Sequence, residues 1–388
     1  MTRALARRQF RSAALAAALT LAFALPMATL ARAQGVPSEA LQAALEAVVD
    51  SPDTMFQGAV LAVQYPDQPL WTGAAGVVDL ETRARLTPDA RFRAGSIAKP
   101  FVATVVLQLV EAGAFSLDDP ITAVLPATIT DRFTASDRTT VRMLLDHTSG
   151  IPEWIDDSVT GLIAANPARV WDVTDFLDFA AAKPRAFDPG TSWAYSNTDF
   201  NLLGLIVEHA TGNTWREEVT NRILEPLHLT HTSLPEPGNT GFDGAYMHGY
   251  GVVDGNVVDL SHIDPSMAGA AGGGALVTNT TDLITFMDAL LAGSLFHDAA
   301  TLDAMTTFVD ASYEGGQTGY GLGLQRYDFP GGVRAIGHAG GTAGYLSFIG
   351  VFPDLGFTMA VSVDVEVDPT PVLIAALQVL APATAQTR

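Results

Sequence analysis

The sequence predicts an α/β (α+β) protein in which both ends of the chain build one antiparallel sheet, flanked by helices, with an all-helical domain inserted between them. Alternating apolar residues typical of strands occur near both termini, whereas the middle of the chain has apolar residues at helical spacing. An isolated hairpin is only marginally stable, so the terminal strands are expected to pair with one another. With 388 residues and 48% hydrophobic content, the chain can bury a large core.

The N-terminal part of the predicted sheet covers about residues 38–95. A short helix is expected around Leu41 to Val49. Gly58 to Val63 and Trp71 to Val78 have the apolar pattern of two strands, and the segment Pro66-Asp67-Gln68-Pro69 between them is a turn signal. The chain is therefore predicted to begin with a helix and a hairpin.

The inserted helical domain is predicted over about residues 100–310. From Pro100 to Gly113 apolar residues recur every three or four positions, which places the preceding Ser96 at a helix entrance. Asn201 to Ala210 and Thr281 to Leu291 are the clearest later helices.

The C-terminal part of the sheet is predicted over about residues 315–388. Val333 to Gly337, Tyr345 to Phe352 and Phe357 to Val363 either alternate or run apolar, as strands do. A final helix is expected from Pro371 to Leu380. Residues 34–388 are thus predicted to form one globular unit.

Residues 1–33 predict an export signal. Four arginines precede an apolar run from Ala13 to Leu25, and Ala31-Arg32-Ala33 fits a small-residue cleavage site. The run is shorter than the roughly 20 residues of a membrane span and meets Pro26, so a retained anchor is the weaker alternative. Arg7-Arg8 is compatible with the twin-arginine route. We therefore expect an exported protein, periplasmic or secreted, with no stable membrane span after cleavage.

Composition excludes several classes of function. The formal charge is −21, and loss of residues 1–33, with five Arg and no acidic residue, would make it −26. Nucleic acid and anionic lipid need clustered Lys and Arg, so neither is an expected partner. Cysteine is absent, which leaves oxygen nucleophiles for covalent catalysis.

One of the two lysines in the chain lies three residues after a serine. In Ser96-Ile97-Ala98-Lys99, the spacing on a helix brings a hydroxyl and an amine to the same face. A serine needs an adjacent base, and a lysine serves as one when burial favours its neutral form. A helix start also directs N–H groups outward, so the Ser96 N–H can help to bind an oxyanion. Alone, the pair is a weak signal, because a helix-capping serine beside a surface lysine is the commoner explanation of this spacing.

Two further motifs make the chain resemble a family. Tyr195-Ser196-Asn197 lies about a hundred residues after Ser96, and His338-Ala339-Gly340 lies on a predicted strand near the C-terminus. With the Ser-x-x-Lys segment, they are similar in order and spacing to serine β-lactamases and penicillin-binding proteins, in the branch of class C β-lactamases, D-alanyl-D-alanine carboxypeptidases and related esterases. The resemblance spans about Gly58 to Val363 and implies a β-lactamase/transpeptidase-like fold.

The resemblance also implies roles for the residues of these motifs. Tyr195 would be a general base or proton relay with Lys99, its pKa lowered by the nearby ammonium. Asn197 would bind a substrate amide and hold Lys99 in place. Gly340 would leave room for the substrate backbone, and the N–H of Gly341 would be the second oxyanion donor. His338, where many β-lactamases have lysine, would bind substrate, neutral or charged.

The implied reaction is acyl transfer through an acyl-enzyme on Ser96, with no metal or organic cofactor required. The substrate would be a small-molecule or peptide acyl compound, such as a peptidoglycan peptide or a β-lactam. Carboxypeptidases of the family tend to have Arg where this chain has Gln325, and Arg326 is expected to face the other side of the strand. A D-alanyl-D-alanine carboxypeptidase-like peptidase is predicted, with an esterase, a β-lactamase and a non-hydrolytic penicillin-binding sensor as alternatives.

Three other histidines, His147, His228 and His231, are expected to be structural. His228 and His231 have no third ligand in view, so a surface or packing role is favoured over a metal site. His147, in Leu144 to Gly150, is expected to pin the turn after the preceding helix.

Overall fold

The computed structural model describes residues 35–253, 255–271, 275–329, 331–365 and 369–381. The predicted signal peptide lies outside the described residues. Among the described residues, no helix combines the length and apolar character needed to cross a membrane.

A single eight-stranded antiparallel sheet forms the body of the molecule. Its strands lie in the order β2 (Trp71–Gly76), β1 (Gly58–Gln64), β12 (Phe357–Val363), β11 (Tyr345–Phe352), β10 (Val333–Thr342), β9 (Gln325–Phe329), β8 (Gln317–Tyr320) and β7 (Val309–Tyr313). Strands β1 and β12 are neighbours in it, with Ala59 opposite Val363. The two ends of the chain therefore meet in one sheet, as the sequence predicts. The other strands are β3 (Phe92–Arg93), β4 (Tyr250–Val253), β5 (Asn256–Asp259) and β6 (Val277–Thr278).

The helices cover both faces of the sheet and fill most of the middle of the chain. They are α1 (Ser38–Val49), α2 (Ala98–Glu111), α3 (Ile121–Val124), α4 (Ala127–Thr130), α5 (Val141–Leu145), α6 (Asp157–Ala165), α7 (Val173–Ala181), α8 (Asn197–Thr211), α9 (Trp215–Val219), α10 (Thr280–Leu291), α11 (Ala299–Met305) and α12 (Thr370–Leu380). The predicted helical domain, residues 100–310, is not helical throughout. Within it β4 pairs with β5 in a hairpin, and β6 pairs with β3 from outside the domain.

The sheet separates two apolar cores. On one face, Leu41 and Leu45 of α1 pack with Leu373 and Ala376 of α12 against the strands. On the other face, a larger core includes α2, which is buried over most of its length. Because apolar residues of β1 and β12 face both cores, these strands are apolar runs rather than alternating patterns.

Candidate active site

Ser96 lies in a tight turn of 3-10 helix, Gly95–Ile97, that joins β3 to α2. Gly95 has φ +56°, and a Cβ atom there would lie 2.5 Å from the carbonyl oxygen of Gly341. Glycine at this position therefore lets the turn pack against the backbone of β10. The arrangement places the N–H groups of Ser96 and Gly341, the two predicted oxyanion donors, on neighbouring backbone segments.

Gly340, on strand β10, is the second glycine that allows the Ser96 turn and the strand to pack closely. A Cβ atom at Gly340 would lie 1.9 Å from the carbonyl oxygen of Ala94, a distance that no side chain tolerates. The hydroxyl of Ser347 donates to the carbonyl oxygens of both Ala94 (3.1 Å) and Gly340 (3.2 Å). The expectation that Gly340 makes room for substrate is therefore corrected, because the space it leaves is filled by the turn that carries Ser96.

Lys99 is fully buried and its amine lies 3.0 Å from the Oγ atom of Ser96. The same amine donates to Oδ1 of Asn197 at 2.7 Å. Burial lowers the pKa of Lys99 to about 7, with Glu153 and Asp199 acting in the opposite direction. The neutral amine is therefore well populated at neutral pH, and its lone pair is available to the Ser96 hydroxyl while one N–H binds Asn197.

Tyr195 lies beside the Ser96–Lys99 pair. Its ring centroid is 4.8 Å from the Lys99 amine, and its hydroxyl is hydrogen-bonded with Ser96. Burial raises the pKa of Tyr195 well above its usual value, and this outweighs the opposing effect of the Ser96 hydrogen bond. The expectation of a lowered Tyr195 pKa is thus wrong for this structure, because loss of solvation opposes the phenolate. Tyr195 is a protonated phenol near neutral pH.

Asn197 begins α8 and is held by a carboxyl group that the sequence analysis did not single out. One oxygen of Glu153 accepts from both the backbone N–H (2.7 Å) and the side-chain amide (2.9 Å) of Asn197. The amide nitrogen is thereby committed to Glu153, which turns Oδ1 toward Lys99. Lys183, the second lysine, donates to the carbonyls of Glu153 (2.8 Å) and Trp154 (3.0 Å) and so fixes this loop.

His338 is fully buried in β10. Its Nδ1 lies 2.5 Å from the carbonyl oxygen of Ala339, and its Nε2 lies 3.0 Å from the hydroxyl of Tyr320. Because a carbonyl only accepts, Nδ1 has the proton and Nε2 accepts from Tyr320. Burial and Lys99 lower the pKa of His338 to about 3, so the imidazole is neutral. It lies behind the site with both nitrogens bonded inside the protein, which does not support the predicted direct contact with substrate.

Gln325 is the first residue of β9, and its side chain hydrogen-bonds to the backbone of β10 just beyond the residues that β9 pairs with. Strand β9 starts at Gln325, opposite Gly337, so β10 has no strand partner on this side beyond that point. The side-chain oxygen of Gln325 accepts from Ala339 N–H at 2.8 Å and from the hydroxyl of Tyr327. The first part of the exposed edge is thus capped by a side chain.

Arg326 is engaged away from the site. Its guanidinium donates to the carbonyl oxygen (3.1 Å) and hydroxyl (3.2 Å) of Thr318 and lies 3.8 Å from Asp310. Gln325 is uncharged and Arg326 is bound elsewhere, so neither of them presents a cation to Ser96. This outcome agrees with the expectation that Arg326 points elsewhere.

His228 is exposed, and the other two histidines that the sequence predicts to be structural each lie near a carboxyl group. His147 is fully buried, with its ring 4.5 Å from that of Tyr195 and its Nδ1 3.1 Å from Asp199. His231 is close to Asp282 at 3.7 Å. Within the part of the chain that the structure describes, no group of three His, Cys, Asp or Glu side chains has the arrangement of a metal site.

The structure thus brings together a serine hydroxyl, an adjacent buried amine, a phenol and two backbone N–H groups, the groups that serine acyl hydrolases use. Residues 41–381 match the family model described as Beta-lactamase. The chain belongs to this family and is a serine hydrolase.

Characterised relatives differ in what they act on. The chain is 31% identical over 315 residues to "Penicillin-binding protein 4" of Amycolatopsis lactamdurans, with 78% of this chain and 79% of the relative covered. It is 28% identical over 330 residues to "Esterase EstB" of Burkholderia gladioli, covering 77% and 83%. A solved structure of a D-stereospecific amidohydrolase from Streptomyces sp. superposes with a TM-score of 0.78 at 35% identity, covering 87% and 98%.

Proposed function

We propose that the protein hydrolyses amides and esters of D-configured amino acids through an acyl-enzyme on Ser96. The observation that supports this choice is that the guanidinium of Arg326 is bound to Thr318 and lies near Asp310, so that Arg326 does not offer it to a terminal carboxylate at Ser96. The polar side chains at the start of α8 are instead the amide of Asn197 and the carboxyl of Glu153, which are hydrogen-bonded to each other. Such a site suits a substrate that ends in an amine or an amide better than one that ends in a carboxylate.

In the proposed acylation step, neutral Lys99 accepts the proton of Ser96 as Oγ attacks the carbonyl carbon. The N–H groups of Ser96 and Gly341 stabilise the oxyanion. Tyr195, protonated because it is buried, donates its proton to the leaving amine as the C–N bond breaks, and it regains a proton from the Lys99 ammonium. Water then attacks the ester with the same groups acting in reverse. Asn197 keeps the Lys99 amine directed at Ser96 throughout, and His338 supports the cleft from behind.

The relatives support a D-configured acyl group, since the similar Streptomyces structure is that of a D-stereospecific amidohydrolase. An esterase is the second candidate, because an ester substrate needs no carboxylate clamp and one curated relative is an esterase. Carboxypeptidase action, the prediction from sequence, would require a cation for the terminal carboxylate from outside the contacts described. We also propose that the protein is exported, on the basis of the N-terminal residues 1–33.

The deciding experiment compares matched substrates on the wild type and on Ser96→Ala. D-phenylalanine amide should be hydrolysed at least about tenfold faster than its L-enantiomer. D-Ala-D-Ala peptide with an amidated C-terminus should react as fast as or faster than the peptide with a free carboxylate. Ser96→Ala should lose about 10⁴-fold or more in kcat.

Each alternative has its own outcome in the same panel. A preference for the free carboxylate above about tenfold would identify a carboxypeptidase. Turnover of a 4-nitrophenyl ester without any amide hydrolysis would identify an esterase, and rapid opening of nitrocefin a β-lactamase. A fluorescent penicillin adduct that persists for hours in intact mass spectra, without turnover of any substrate, would identify a sensor.

A further inference from the structure

His147 lies directly behind Tyr195, and the mechanism above gives it no part. It follows α5 with φ +61°, in the left-handed region that histidine and asparagine enter more readily than most residues. Its imidazole is fully buried, 4.5 Å from the ring of Tyr195 and 4.6 Å from that of Tyr320. A polar residue in this conformation and at this depth needs a reason beyond packing.

His147 binds the backbone on both sides of Tyr195. Its carbonyl oxygen accepts from Ala194 N–H at 3.1 Å, and its Nδ1 accepts from Ser196 N–H at 3.3 Å. The residue before Tyr195 and the residue after it are therefore both hydrogen-bonded to one histidine. A shift of this backbone that moved Tyr195 away from Ser96 would break at least one of these hydrogen bonds.

The protonation state of this histidine follows from its partners. Because a backbone N–H only donates, the contact with Ser196 requires an unprotonated Nδ1. One carboxyl oxygen of Asp199 lies 3.1 Å from the same nitrogen, and the other accepts from the hydroxyl of Ser149 at 2.6 Å. Two acceptors at that distance repel unless Asp199 supplies a proton. Burial acts in the same direction, since it raises the pKa of Asp199 and lowers that of His147.

We propose that His147, paired with a protonated Asp199, is the positioning residue that fixes the Tyr195 phenol against Ser96. The proposal rests on the proposed proton-donor role of Tyr195. Its consequence is that loss of the Nδ1 acceptor should slow the chemical step while leaving substrate binding nearly intact.

Two substitutions at His147 test the acceptor directly, with thermal melting to verify folding. His147→Ala should lower kcat about 10- to 100-fold and change KM less than about threefold, because a displaced catalytic group loses rate rather than affinity. His147→Asn should recover kcat to within about fivefold of wild type, since asparagine tolerates the backbone conformation and offers an oxygen near the position of Nδ1. His209→Ala, an exposed histidine on the helix that carries Asp199, is the matched control and should leave kcat unchanged.

A double-mutant cycle with Tyr195→Phe separates positioning from general support of the fold. If His147 acts through Tyr195, then His147→Ala should cost less than about threefold in kcat when Phe is already present. An equal loss in both backgrounds, or a His147→Asn variant no better than His147→Ala in a folded protein, would overturn the proposal. Wild-type activity of Tyr195→Phe by itself would instead refute the proton-donor role of Tyr195 and the proposal with it, whereas the proposed function is refuted separately by the substrate panel with Ser96→Ala.

Discussion

The turn that carries Ser96 and the loop that carries Tyr195 hold their catalytic candidates by different means. The turn is fitted against β10 by backbone contact, through Gly95 and Gly340, where no extra atom has room. The loop is held by side chains, with His147 binding its backbone and rings packing against its phenol. The turn should therefore be most sensitive to added atoms, and the loop to removed ones.

Gly340→Ala provides the largest expected effect of an added atom. The new methyl group would overlap the carbonyl oxygen of Ala94, so the turn and Ser96 must move. We expect kcat/KM to fall about 100-fold and the free energy of unfolding to drop by about 1–3 kcal/mol. Gly161→Ala is the control, because nothing lies within 4 Å of that position in helix α6. Normal activity of Gly340→Ala would show that the turn is not fixed by backbone fit.

The protonation of Lys99 provides the next effect. Its depressed pKa of about 7 means that the amine is charged at low pH and neutral at high pH. We expect kcat/KM to rise about tenfold per pH unit below pH 6 and to level off above pH 8. Initial rates measured between pH 5 and 9 give the profile of kcat/KM against pH. A flat profile across that range would exclude Lys99 as the base. Lys99→Arg, which stays charged, should remain inactive throughout.

Gln325→Ala removes the side chain that caps β10. Ala339 N–H and the hydroxyl of Tyr327 would lose a buried acceptor, with an expected cost of about 1–3 kcal/mol in the free energy of unfolding. Arg326→Ala, one residue on, should cost less than about 1 kcal/mol because its ion pair is exposed. Urea titrations of the two variants give the comparison. Equal losses would mean that the cap is not what secures this end of the strand.

Lys183→Ala is expected to have the smallest effect. Its amine joins Asp156 at 2.7 Å and two carbonyl groups of the loop that positions Glu153. Because the side chain is partly exposed, we expect a loss of about 1 kcal/mol in stability. KM should rise by a few-fold with little change in kcat, since Asn197 keeps its contact with Lys99. A change in kcat larger than the change in KM would place the loop in the chemical step.

Local patterns were sufficient to predict the main elements and the spacing of the site. The terminal strands, α2 and α10 follow from apolar periodicity, and the contact between Ser96 and Lys99 follows from one helical turn. The hairpin of β4 and β5 was not predicted, although valine pairs on either side of Gly255 are a recognisable hairpin signal.

The partners of the site could not be predicted, because they depend on tertiary contacts. Glu153 meets Asn197 across 44 residues, and Gln325 reaches a backbone N–H 14 residues away. Their side chains have no local signature, and acidic residues or glutamines in loops are common. The raised pKa of Tyr195 was not predicted for the same reason, because the motif does not indicate how deeply the Tyr195 side chain is buried.

The pairing of β1 with β12 also has a consequence for the order of events during synthesis. Until residues near Val363 have been made, β1 has only the hairpin partner β2, and one edge of it remains open. A long apolar strand in that state can pair with another chain. Folding of the sheet therefore waits for almost the whole chain, and a nascent chain stalled before β12 should require a chaperone to stay unaggregated.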